Sequence, residues 1–210
     1  MAQDKSPGLD AAYALKTPDD NRALYAGWAE TYDETFAAAM DFLMPGHVVR
    51  IFSDLGGAGP VLDAGAGTGQ VAAAFDAQGL RDIDAVDLSP EMLDVARGKG
   101  LYRHRLVADL TQPLPLESGI YNGVVSSGTF THGHVGPEAL DELMRVAAPG
   151  ALFVLTVKTE HFEERGFDAK FSGFGEAIRD FKKFSLPIYG PAAQGPHRSD
   201  EGLVVSFRKV

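Results

Sequence analysis

The sequence contains no cysteine. Disulfides, thiolate nucleophiles and cysteine-based zinc sites are therefore excluded, and a reducing compartment such as the cytoplasm is the expected setting. Positive charge is scarce: 19 lysines and arginines stand against 29 aspartates and glutamates, a formal net charge of -10. Such a chain repels phosphate backbones on average, so nucleic acid is not an expected partner. No apolar run is long enough to span a bilayer, and no membrane partner is expected. The opening stretch MAQDKSPGLD lacks the apolar core of a signal peptide. Internal repeats and low-complexity tracts are missing too. What remains is 210 residues, enough for one α/β domain that buries its own core.

The hydrophobic pattern supplies the order of elements. A short helix is expected around Ala11–Lys16. Thr17 as cap and Pro18 at the first helical position then start a helix reaching Glu30. A second helix is expected over His47–Leu55, ending at Gly56-Gly57. From VLDAG onward, strands and helices alternate. The expected strands are VLDAG, IDAVDL, HRLVAD, YNGVVSS and ALFVLTV. Helices are expected over Gln70–Ala77, over PEMLDVAR behind a Ser89-Pro90 cap, and over PEALDELMRVA. Near-continuous apolar strands separated by helices imply a parallel sheet covered on both faces. In the tail, Gly175–Asp180 reads as continued helix, followed by strands FKKFSL and GLVVSFRKV. The Pro/Gly-rich link between those two holds no long helix, which implies an antiparallel pair.

Three alternating glycines, Gly65, Gly67 and Gly69, stand between a strand and a helix. Glycine there lets the chain turn sharply and lets a ligand lie on bare backbone, and free N–H groups at a helix start favour an anionic group. The loop reads as a nucleotide-type cofactor site. A dinucleotide fingerprint would need glycine at position 70, where Gln70 stands. Asp63 precedes the loop, and Asp87 ends the next strand about twenty residues on, where an acid grips ribose hydroxyls. No arginine follows Asp87 to meet a 2′-phosphate.

These motifs carry a resemblance. Asp63-Ala64-Gly65-Ala66-Gly67-Thr68-Gly69, Asp87-Leu88-Ser89-Pro90-Glu91-Met92, Ala108-Asp109-Leu110 and Ala148-Pro149-Gly150 resemble the successive motifs of class I S-adenosylmethionine-dependent methyltransferases. Tyr25-Ala26-Gly27-Trp28-Ala29-Glu30-Thr31-Tyr32-Asp33 and Gly128-Thr129-Phe130-Thr131-His132-Gly133-His134-Val135 are similar to the methyltransferase-like group named after the Williams–Beuren syndrome chromosome region. The resemblance runs from about Asp19 to the C-terminus. It implies a Rossmann-like class I methyltransferase fold: a seven-stranded, mostly parallel sheet with an antiparallel last strand and helices on both faces. The implied domain spans residues 19–210, with an N-terminal helical lid over 19–57 and a flexible segment before it over 1–18. The implied cofactor is S-adenosylmethionine. The glycine loop would lie beside its methionine part, Asp87 would accept both ribose hydroxyls, and Leu88 and Met92 would flank the adenine. Asp109, with Leu110 nearby, would accept from the adenine amino group, and Ser127 would lie near the methionyl amine or the sulfonium. Each has a plain alternative: the glycines as a tight turn alone, Asp87 as a helix-start acid, Asp109 as a turn former before Thr111-Gln112-Pro113, Leu88, Leu110 and Met92 as core, Ser127 as ordinary loop.

Tyr25, Trp28 and Tyr32 fall at i, i+3 and i+7, so a continuous helix would bring them to one face. That face either packs on the sheet or, as in families of this type, closes over the cofactor. His132 and His134 follow the fourth strand, where one of them could deprotonate an acceptor or simply hydrogen-bond the loop. With Glu138 they match no metal-ligand spacing, and no metal is expected. Residues His161–Gly173 read as a substrate-binding insertion. The leading function is a methyltransferase acting on an oxygen, nitrogen or sulfur nucleophile of a small molecule. A non-catalytic cofactor-binding subunit and a nicotinamide-dependent oxidoreductase stay open beside it. The sequence says nothing of oligomeric state.

Overall fold

Three helices open on or beside a proline, whose fixed φ and missing N–H suit a first helical turn. They are α1 (Pro18–Trp28), α2 (Met44–Asp54, with Pro45) and α4 (Pro90–Lys99). The computed structural model describes residues 18–131 and 135–210. Between α1 and α2 runs a π-helical segment, Asp33–Ala38. The alternating section follows as β1 (Val61–Ala64), α3 (Gln70–Asp76), β2 (Ile83–Asp87), α4, β3 (Arg105–Val107), β4 (Tyr121–Phe130), α5 (Ala139–Val146) and β5 (Ala147–Lys158). Two short helices, α6 (Thr159–Glu164) and α7 (Phe167–Phe174), lead to β6 (Ile178–Pro187) and β7 (Glu201–Lys209). The helix expected around Ala11–Lys16 and the Thr17 cap lie outside the described residues.

The seven strands form one sheet in the order β3-β2-β1-β4-β5-β7-β6. β1 pairs in parallel with β2 and β4, and β7 runs antiparallel to both β5 and β6. The expected parallel sheet with an antiparallel last strand is present. Alternation along each strand splits the core between the two faces. Leu62, Val124 and Phe153 pack with α5, α6 and α7. Val61, Val125 and Val154 pack with α2, α3 and α4. In α5 the apolar residues Leu140, Leu143 and Val146 are fully buried, each burial being worth roughly 1.5–3 kcal/mol.

Some expectations need correcting. The second helix starts at Met44 and not at His47, because Pro45 begins a helix as readily as it breaks one. Helix does not continue over Gly175–Asp180. Gly175 takes a φ of 51°, a short 3₁₀ turn ends at Ala177, and Ile178 already pairs with Lys209. The stretch read as a substrate-binding insertion folds as α6 and α7, with Phe162, Phe167 and Phe171 buried on the α5 face. On the edge strand β6, Arg179, Lys182 and Lys183 are exposed, which discourages pairing with another chain's edge.

Candidate functional site

The strand order reverses direction between β1 and β4, and the connections leaving their carboxyl ends part there to leave a crevice. It encloses about 950 Å³ with its open mouth. Of the residues singled out from the sequence, Gly65, Gly67, Asp87, Leu88, Met92, Asp109, Leu110, Ser127, Tyr25 and Tyr32 line it. Asp63, Gly69 and Trp28 do not. His132 and His134 lie outside the described residues. Among the described residues no three acidic or histidine side chains stand together as metal ligands.

The glycines serve different ends. A Cβ on Gly65 would overlap the Oγ1 of Thr129 and stand 2.7 Å from its Cγ2, so this glycine answers to a side chain of β4. Gly67 has a φ of 52° and faces open space, with nothing within 4 Å of a Cβ built there. Bare backbone is thus offered to the crevice at Gly67. Its N–H donates to Asp87 Oδ2 at 2.7 Å, and Ser89 N–H donates to Oδ1 at 2.9 Å. Burial raises the Asp87 carboxyl above its ordinary pKa, while the backbone donors of Ser89, Gly67 and Leu88 pull it back. Ser89 also caps α4 as expected, its Oγ accepting from Met92 N–H at 3.2 Å.

Asp109 makes the turn foreseen for it and stands in the crevice wall. Its Oδ1 accepts from Thr111 N–H at 2.8 Å. Met92 and Leu110 are nearly fully buried and line it as well, so core and site coincide. The Ser127 hydroxyl is buried with no hydrogen-bond partner among the described residues. An unmet polar atom, a glycine with open space before it and two carboxylates flanking apolar side chains suit an adenosyl group carrying a polar amino-acid arm.

Strand alternation accounts for Asp63. It shares the Val61 face of β1, away from the crevice, and is fully buried. Tyr102 O–H donates to its Oδ2 at 2.6 Å, and Oδ1 has no partner. Burial pushes the carboxyl to about 7, with the Tyr102 bond lowering it and the Asp87 charge raising it. A folded-state pKa above the unfolded 3.8 means this group's stabilisation is complete below about pH 4 and is lost as pH rises through about 7. The Tm of the protein is expected to fall between pH 5 and 8 more than that of Asp63→Asn. The gap corresponds to on the order of 2–4 kcal/mol. Parallel Tm curves for the two proteins would refute the assignment.

The N-terminal segment closes one side. α1 stops at Trp28, yet Tyr25, Trp28 and Tyr32 still form one ring cluster, with centroids 5.1 Å apart for Trp28–Tyr32 and 6.1 Å for Tyr25–Trp28. Trp28 Nε1 donates to Thr35 Oγ1 at 2.9 Å. Burial foremost, then the neighbouring Tyr25 and Tyr189, raises the Tyr32 hydroxyl well above its ordinary value. Asp33, given no role by the sequence, ties this segment to the glycine loop. Its Oδ1 accepts from Thr68 Oγ1 at 2.5 Å and from Gln70 Nε2 at 2.7 Å, and its Oδ2 accepts from Lys99. Burial works to raise Asp33, but those three donors and the Lys99 charge hold it below the usual value. Gln70, the departure from the dinucleotide fingerprint, is one of the donors. Lining residues Phe42 and Thr129 also lacked a local signal.

Beyond Tyr25, Tyr32, Phe42 and Gly128, which also line it, lies a second cavity of about 700 Å³ with its open mouth. Trp28 is in its wall.

A Rossmann-like sheet with a crevice at its switch point defines a class of cofactor-binding α/β enzymes. Residues 62–155 match the family described as "Methyltransferase domain". Methyltransferase-like protein 27 of Homo sapiens is 33% identical over 171 residues, covering 76% of this chain and 69% of that protein. Burkholderia thailandensis 1,6-didemethyltoxoflavin-N1-methyltransferase, solved with 1,6-didemethyltoxoflavin and S-adenosylhomocysteine, has a similar fold. Its TM-score is 0.59 at 21% identity, over 93% of this chain and 92% of that one. A chain from a complex of the Haloferax volcanii Trm112 methyltransferase activator gives a TM-score of 0.66 at 17% identity, over 88% and 97%. The chain belongs to the class I S-adenosylmethionine-dependent methyltransferases. It is an enzyme and S-adenosylmethionine is its cofactor, which closes the oxidoreductase and non-catalytic alternatives. Among the described residues no helix is long and apolar enough to cross a membrane.

Proposed function

We propose that this methyltransferase acts on an oxygen, nitrogen or sulfur nucleophile of a small molecule. The observation that carries the reading is the second cavity, which shares four wall residues with the crevice and lies behind the N-terminal segment.

In this reading Asp87 accepts the ribose hydroxyls, Asp109 the adenine amino group, and Leu88, Met92 and Leu110 flank the ring. Gly65, Gly67 and Gly69 shape the loop under the methionine part, Asp63 supports that loop from beneath, and Ser127 meets the amine. Of the expected lid over 19–57, the part before α2 serves as the lid, fastened by Asp33, with Tyr25, Trp28 and Tyr32 over the junction of the two cavities, while α2 is core. The bound cofactor supplies a sulfonium methyl, which the acceptor's lone pair takes as the carbon–sulfur bond breaks and its electrons stay on sulfur. The protein's part is to align the two partners and keep water out. His132 or His134 is the proposed base for an acceptor that carries a proton; both follow Thr131, which lines the second cavity. The cytoplasmic setting belongs to the proposal and is supported by the cysteine-free sequence.

The test is incubation with methyl-labelled donor and separate cell fractions of metabolites, RNA and protein. Label is expected in the metabolite fraction. Label confined to RNA or protein would overturn the reading.

A further inference from the structure

β4 falls out of step with β5 near the carboxyl ends of the two strands. Ser126 pairs with Leu155 and Phe130 with Val157, so Ser127, Gly128 and Thr129 together stand against Thr156. Such a bulge leaves backbone groups without a ladder partner and re-aims the residues in it. All three bulged residues line the crevice, and Gly128 lines the second cavity too. Gly128 takes a φ of 79°, and its N–H donates to Thr156 Oγ1 at 2.8 Å. Thr156 is 6% exposed and lines the second cavity. The bulge uses only half of this hydroxyl. Accepting from Gly128 engages a lone pair, while the O–H proton has no acceptor among the described residues.

A buried donor left without a partner is costly, more so than an oxygen's second lone pair left over. Apolar side chains make up much of the same wall, among them Phe42, Met44, Phe130, Val157 and Ile188. A polar group placed among apolar ones fixes the orientation of what binds there. Its position decides what it holds. Thr156 is hydrogen-bonded to Gly128, which borders both cavities, so its hydroxyl stands beside the junction that the methyl group crosses in the reading above. A donor on the nucleophile itself would hold back the lone pair that attacks, so the O–H serves a neighbouring group. We propose that Thr156 selects and orients the methyl acceptor by donating to a carbonyl oxygen or ring nitrogen beside the acceptor's nucleophilic atom. This rests on the small-molecule reading above and adds to it the acceptor's second functional group. A site built to bond such a group rejects a molecule that lacks it, because the donor is then stranded.

The test supplies methyl-labelled donor and titrates the metabolite fraction against the unaltered protein, Thr156→Val and Thr156→Ser. Thr156→Val keeps the shape and loses the hydroxyl. It is expected to need at least tenfold more of the fraction for half-maximal labelling, while Thr156→Ser stays within threefold of the unaltered protein. S-adenosylhomocysteine affinity, read by calorimetry, is expected to change at most threefold in either variant. A residue that only props the bulge would move that affinity instead, since Gly128 lines the crevice. An unchanged half-saturation in Thr156→Val, or a loss of S-adenosylhomocysteine affinity as large as the loss for the fraction, would overturn the inference. A second readout needs no variant: crystals of the unaltered protein soaked with S-adenosylhomocysteine and the purified labelled product. An oxygen or nitrogen of the product, other than the methylated atom, is expected within hydrogen-bond distance of Thr156 Oγ1. Only carbon, or the methylated atom itself, at that place would overturn it as well. Label only in RNA or protein sinks the small-molecule reading and this inference with it, whereas a labelled metabolite that ignores Thr156 sinks this inference alone.

Discussion

Asp87→Ala is expected to weaken S-adenosylhomocysteine binding by more than tenfold in isothermal titration calorimetry, with the protein still folded by circular dichroism. Asp87 ends β2 at the crevice and already accepts from Gly67 and Ser89 N–H. Its loss removes the acceptor for the ribose hydroxyls and unties the glycine loop from the start of α4. A hydrogen bond to a charged group contributes about 1.5–3 kcal/mol, and about 1.4 kcal/mol is already a factor of ten. Asp87→Asn should fall in between: its amide oxygen still accepts, but its NH₂ would face a backbone donor. An affinity within twofold of the unaltered protein would take Asp87 out of the site.

The second large effect separates two glycines that look alike in the sequence. Gly65→Ala is expected to cost roughly 3 kcal/mol or more in denaturant unfolding. It puts a methyl group into Thr129 and holds alanine at a φ of 75°. Gly67→Ala is expected to cost only about 1 kcal/mol of stability, since nothing lies near its Cβ. Its methyl group would instead project into open space at the crevice, and S-adenosylhomocysteine affinity should drop at least tenfold. One glycine is required by packing and the other by the ligand. Unchanged affinity in Gly67→Ala would mean that the cofactor does not lie against this backbone.

The site was legible in the sequence where its parts are local. A strand, a glycine loop, a helix start and an acid at the next strand end are neighbours in the chain, and each has a composition that betrays it. The Ser89-Pro90 cap is likewise a few residues long. Legibility failed where partners are far apart. Asp33 reaches Thr68, Gln70 and Lys99 across separations of 35, 37 and 66 residues, and nothing in the run around Asp33 points to them. Asp63 was grouped with the loop that follows it, although alternation along β1 turns it to the opposite side, toward Tyr102. The edge strand was read three residues late because Gly175 ends α7 where the pattern still looked helical.

Local order therefore came from the sequence by itself: the alternation of strands and helices, the antiparallel tail, the bare loop and its flanking acids. These depend on periodicity, caps and turns, which act over a few residues. Only the tertiary structure decided that Gly65 yields to Thr129 while Gly67 stays open, that Asp33 fastens the N-terminal segment, and that seven aromatic rings from distant stretches line a second cavity. Such features arise from the packing of surfaces brought together by the whole sheet, and no single stretch of chain contains them.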